Sequence, residues 1–374
     1  MKKIVIFIGV IIVVSIICIV CYACSDPAIQ PLDVFDLGEK ASIIALHDEN
    51  IVYMEINGQN VDFFLYDTVQ KGSIYIGTIE NVKIISNEVV LIDNCLYTNI
   101  IIDETNNPTY TYKINLQNFA IDPIREVMSY DTFAPITNLG EEIAILECKV
   151  LDNIHGESII STLDSSGNSI THLIFSSNRD DFSGEYIWDF TTNNDSLFTI
   201  TDSWSENEIF LEQYDSNFKM VKKIDLTKTI GYLENQKIHE FDVLDNFAFI
   251  SNFSRSSVLF SISDDSIFHL VESSYENPFM KAKSNESQPV FFISDSPYIF
   301  YLDKENNHII QSKLKFDTEC KIKNMYIGEN TTIVTLKDVK DIYIIDNKDL
   351  YSKSSKRFPL SNKTYIATVD GLKK

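Results

Sequence analysis

A strand–turn–strand pattern repeats along the chain, and no other feature limits the fold as strongly. Seven times after residue 40 a short apolar run is followed by a tight polar turn and a second apolar run. The second runs begin near Ile51, Val89, Ile143, Leu197, Phe247, Tyr298 and Thr332, 38, 54, 54, 50, 51 and 34 residues apart. The turns before them are built of Asp, Asn, Glu, Gly and Ser, as in Asp48-Glu49-Asn50 and Gly328-Glu329-Asn330. Ile, Val, Phe, Tyr and Thr dominate the runs, and helical periodicity is almost absent after residue 30, so consecutive strands are expected. The spacing brackets the ~40–50 residues of a four-stranded propeller blade.

Most units carry a second hairpin, written as apolar run, aspartate, polar turn, apolar run. Asp67, Asp103, Asp164, Asp215, Asp264 and Asp346 occupy the aspartate position. An aspartate there is expected to accept bonds from the N–H groups of its own turn. Two hairpins make four strands, so the expected fold is an all-β propeller of seven four-stranded blades, with six as the alternative. The sixth unit, read from Tyr298, leaves room for about three strands. In the phrases at Tyr66-Asp67, Leu163-Asp164 and Tyr214-Asp215 the unit resembles bacterial propellers of the TolB-like and WD40-like kinds found in envelope lipoproteins. That resemblance spans residues ~40–360 and concerns architecture, not activity. The Gly-His and Trp-Asp signatures of true WD40 repeats are missing; Trp188-Asp189 falls in a first strand. A ring must close, and residues 32–37 or 363–369 are the candidate closing strands.

The chain opens with Met1-Lys2-Lys3 and an apolar run from Ile4 to Cys24. Two lysines before an uncharged core make a secretory signal, with everything after it outside the cytoplasm. Ala23-Cys24 resembles a bacterial lipobox, although Cys21 stands where Leu is usual. Lipidation at Cys24 is the leading reading and an uncleaved anchor the alternative, since roughly 20 apolar residues also span a bilayer. Both tether the chain to a membrane at the cell envelope. Cys18, Cys21 and Cys24 sit inside this apolar segment, where thiolate ligands would lack a polar surround, so no metal is expected on them. The expected organisation is residues 1–24 as leader or anchor, 25–40 as linker with a possible closing strand, and 41–374 as the propeller.

Asp and Glu number 54 against 31 Lys and Arg. Nucleic-acid binding needs a basic footprint, so that class is excluded. Cys95, Cys148 and Cys320 are too few and too scattered for a disulfide scaffold and read as small buried hydrophobes.

No nucleophile elbow, HExxH, P-loop, GxGxxG or calcium loop occurs, and the six histidines show no ligand spacing. No cofactor and no metal are expected. Carboxylates are abundant, so a glycosidase-type pair across the funnel stays open. Tyr186 and Trp188 share a strand face and are a platform if exposed; packing between blades is the expected role of Trp188, and Trp204 is left undecided. Three insertions precede first strands and should share one end face: 117–137, with Phe119, Arg125, Tyr130 and Phe133; 178–185, with Arg179 and Phe182; and 273–288, with Tyr275, Phe279 and Lys281. Aromatics beside a scarce cation fit a recognition surface. The candidate binding residues are therefore Arg125, Arg179, Phe182, Tyr275, Phe279, Trp188 and Trp204. A non-catalytic binding or scaffold module for an unknown protein or glycan is the leading function. An enzyme acting on an extracellular carbohydrate or other small substrate through funnel carboxylates is the alternative.

Overall fold

The computed structural model describes residues 28–373 apart from 39, 49, 128–133, 152–154, 179–182, 194, 204–207, 228–237, 245, 253–255, 264–266, 273–279, 286–287, 294–295, 304–307, 317–320, 353–355, 360–363 and 369–370. The described chain is mostly strand, with a short helix at Asn347–Ser352. In Asn60–Asp67 (NVDFFLYD), Val61 and Phe63 alternate with more open neighbours and pack toward the second unit; after a register shift at Phe63/Phe64, Tyr66 packs toward the seventh, as expected of a sheet covered on both faces.

The strands form consecutive antiparallel meanders whose first strands are Ala41–His47, Val82–Ile92, Ile136–Leu139, Ser183–Asn193, Ile238–Leu244, Met280–Asn285 and Ile322–Ile327. Each first strand touches the next, and Ile322–Ile327 returns to touch Ala41–His47. The contact circuit closes, and the fold is a β-propeller. Apolar clusters seal the junctions. Val52, Phe63, Leu96 and Ile114 join the first and second units, and Ile51, Tyr53, Ile333 and Ile342 join the seventh to the first. Each fully buried Ile or Phe contributes about 1.5–3 kcal/mol, so the junctions hold the ring together.

The expectation of seven, or six, separate four-stranded blades is corrected by the hydrogen bonding. The described strands form six sheets: three four-stranded, two six-stranded and one eight-stranded. The eight-stranded sheet arises because Ser177 pairs with Gly184 and Asn178 with Ser183, fusing the third and fourth units. Gly184 has φ +93°, and a Cβ there would lie 2.1 Å from Ser176 O, so only glycine permits this approach. The larger sheets gain strands from the chain ends. Ala28–Ile29 and Lys356–Pro359 line the outer edge of His308–Leu314, and Thr364–Thr368 with Gly371–Lys373 extends the fifth unit.

Asp33–Asp36 pairs antiparallel with Asp341–Asp346, supplying the outer strand of the seventh unit. This is one of the two expected closing segments; within the other, 363–369, the described strand Thr364–Thr368 lies against Ile267–Glu272 instead. Two unit boundaries also move. Val89 belongs to the first strand of the second unit, whose second strand is Cys95–Ile102, and the sixth unit has four strands because Met280–Asn285 and Gln288–Ile293 precede Tyr298.

Four of the six aspartates cap their turns. Asp67 Oδ1 accepts from Val69 and Gln70 N–H at 2.8 Å, and Asp164 Oδ1 from Ser166 and Asn168 at 2.8 and 3.0 Å. Asp215 Oδ1 accepts from Asn217 and Lys219 at 2.9 and 3.0 Å, and Asp346 Oδ1 from Lys348 at 2.8 Å. Asp103 instead accepts from Gln59 Nε2 at 2.6 Å, and the equivalent cap is Asn115, bonded by Gln117 and Asn118 N–H at 2.9 and 3.0 Å. Asp264 lies outside the described residues.

Candidate recognition site

A unit of four antiparallel strands returns the chain to the end where it began, so the first strands all run the same way. Five of them carry a register shift against their second strand, at Ile44, Lys83, Trp188, His239 and Lys323. A bulge inserts one residue and re-aims its side chain. Lys83 and Lys323 are exposed, and Trp188 is 39% exposed. The packing role expected for Trp188 is thus corrected: the bulge between Ile187 and Asp189 turns the indole outward while Ile187 stays fully buried.

Four consecutive residues hold this strand in place. Glu185 pairs with Lys223 at 3.2 Å. The Tyr186 hydroxyl lies 3.5 Å from Cys148 Sγ of the third unit. Ile187 N–H donates to Ser158 Oγ at 3.3 Å, and Trp188 Nε1–H donates to Asp202 Oδ2 at 3.2 Å. Tyr186 meets the indole edge-on, with centroids 5.7 Å apart and planes at 85°. The indole is therefore oriented before any partner arrives, which lowers the ordering cost of binding.

Beneath the site lies a charged cluster. Glu212 is fully buried; it accepts from Tyr214 and Thr201 hydroxyls at 2.7 and 3.1 Å and pairs with Lys223 at 2.9 Å. Burial pulls the Lys223 ammonium down, but Glu212 and Glu185 outweigh it and leave its pKa raised. Lys223 also sits 3.9 Å above the Phe210 ring. Burial pushes the Cys148 thiol up, so it is a poor nucleophile at neutral pH. Cys95 and Cys148 are free thiols.

Arg125 lies on the outer strand of the second unit, and its Nη2 is 2.9 Å from the nearly buried Glu147 of the third. It joins two units and is committed to that carboxylate. Cys24, Arg179, Phe182, Trp204, Tyr275 and Phe279 lie outside the described residues. Among the described residues, no three His, Cys, Asp or Glu side chains gather as a metal site, and no helix is long and apolar enough to cross a membrane. Sequence reasoning missed the bulge and Asp202 as the indole's partner; both strands mix polar and apolar residues, so no local pattern marks either.

No family model matches this chain, and no curated protein matches it. Solved structures do. An oligogalacturonate lyase from Vibrio parahaemolyticus is similar over 85% of this chain and 95% of its own, at 8% identity and a TM-score of 0.55. Sqt1 from Saccharomyces cerevisiae is similar over 90% and 89%, at 10% identity and 0.51. The N-terminal domain of Nup159 is similar over 86% and 95%, at 8% identity and 0.51. At these identities the likeness is one of fold.

Proposed function

We propose that the protein is a membrane-tethered, extracytoplasmic recognition or scaffold module that engages a protein or glycan through the exposed Trp188. The observation that carries this is the bulge-displaced indole, exposed yet clamped by Asp202 and Tyr186. Exposed, oriented tryptophans are the side chains that supply most energy at recognition surfaces. The apolar run 4–24 with Ala23-Cys24 supports the tether.

The second reading, an enzyme acting on an extracellular carbohydrate, draws on the lyase among the similar structures. One experiment separates the two. Place a photo-crosslinking residue at Trp188 in intact cells, with Ile170 on an outer strand as control, and screen a glycan panel that includes oligogalacturonates. Recognition predicts a discrete adduct or a saturable glycan signal, lost in Trp188→Ala with the circular dichroism unchanged and the glycan recovered intact. Shortened glycan would favour the enzyme, and full signal in Trp188→Ala would remove this site.

A further inference from the structure

Charge is unevenly distributed along this acidic chain. Residues 313–374 hold 13 Lys and Arg against 8 Asp and Glu, whereas the preceding 312 residues hold 18 against 46. The fold concentrates part of this basic excess at one place. Lys313 lies at the end of the fourth strand of the sixth unit and Lys315 just beyond it, and Lys356 and Arg357 lie on the strand paired to its outer edge; all four are exposed. Ala28 and Ile29 pair with Lys313 and Leu314 on that same edge, and Lys315 N–H donates to Ile29 O at 3.0 Å. The chain arriving from the apolar run therefore joins the body between Lys313 and Lys356, whose register partners are Ala28 and Gln311.

The geometry points to an anionic lipid surface as the partner of this edge. Four residue steps separate Cys24 from Ala28, which span at most about 14 Å. A tether at Cys24 holds the edge about one Debye length from the headgroups, where Lys and Arg are attracted to anionic lipid and the acidic remainder is repelled. The ring then stands with its sixth unit toward the membrane and its second and third units away from it. The proximity rests on the proposed tether; the charge pattern does not.

The test uses the full chain reconstituted with phosphatidylcholine vesicles, with or without phosphatidylglycerol. A fluorophore on Gln30→Cys, beside the edge, is compared with one on Asp122→Cys, on the outer strand of the second unit, using a headgroup-borne quencher. Phosphatidylglycerol should raise quenching at position 30 and not at 122. The variant Lys313→Glu/Lys315→Glu/Lys356→Glu/Arg357→Glu should lose that increment and bind anionic vesicles about tenfold more weakly, as should the wild type in high salt. Flotation with neutral vesicles reads the tether alone. If it is absent while the variant still loses anionic-vesicle flotation, the tether fails and the lipid-facing edge stands. Equal behaviour of variant and wild type, or no effect of phosphatidylglycerol, would overturn the edge.

Discussion

His172 and Phe218 stack face to face across a unit boundary, with centroids 3.7 Å apart and planes 5° from parallel. His172 lies on the outer strand of the third unit and Phe218 in the last turn of the fourth. The same relation recurs around the ring: this turn leans on the outer strand of the preceding unit. Gly167 of the third unit approaches Ile124 of the second, and Lys71 of the first pairs at 2.8 Å with Asp33 on the closing strand of the seventh.

Phe218 has φ +58°, a left-handed conformation costing a non-glycine residue about 1 kcal/mol, so the stack must offset it. Phe218→Ala keeps the strain and loses the contact, and should destabilise by roughly 1–2 kcal/mol. Phe218→Gly should cost less than Phe218→Ala. Urea unfolding measures both, and the reverse order would contradict the role given to the stack.

Burial lowers the His172 pKa, against the opposing pull of Glu142. The unfolded chain therefore binds more protons here than the folded one, and stability falls as pH drops through about 6.5. His172→Phe keeps a stacking ring and removes the titration. Its loss of stability between pH 7.5 and pH 5 should be smaller than that of the wild type, and an equal loss would show that this ring does not contribute.

Glu212 is buried with Lys223 as its cation. Lys223→Met strands the carboxylate and should cost about 3 kcal/mol, the lower end for a buried pair because Lys223 is a third open to water. Glu212→Gln with Lys223→Met should recover much of that. Additive losses in the double variant would contradict the coupling.

Asp215→Ala should cost on the order of 1 kcal/mol, by analogy with a lost helix cap. Asn115→Asp should be nearly neutral, and Asp103→Ala should stay within roughly 0.5 kcal/mol, as for a surface change. Thermal melts decide, and an Asp103 cost equal to that of Asp215 would restore Asp103 as a cap.

Much of the fold is legible in the sequence because the strands are short apolar runs, several of them buried on both faces as in Cys95–Ile102 and Ser196–Ser203, and most turns are punctuated by Asp, Asn or Gly. The pattern misleads where a strand is long or a unit joins its neighbour. Ser86-Asn87-Glu88 reads as a turn, yet it lies inside Val82–Ile92 at a register shift between Ile85 and Val89. Asp103 and Asn115 both look like turn residues, and only the hydrogen bonds show which one ends a third strand. The fusion at Gly184 needs a contact between units that no local pattern encodes. The site is less legible: composition finds Trp188, but its exposure depends on a one-residue bulge whose register is set by the facing strand.

Closure of the ring by the N-terminal strand is the claim on which the rest depends, and a cross-link tests it most directly. Asp36 lies opposite Asp341 in the closing pair, at a separation typical of cross-strand neighbours and within disulfide reach. Asp36→Cys/Asp341→Cys, with the native thiols replaced by serine, should form an intramolecular disulfide under mild oxidation, identified by peptide mass mapping, and should raise the unfolding midpoint. Free thiols in the folded protein, or a cross-link only in a partner combining position 36 with a residue of another unit, would contradict the closed ring.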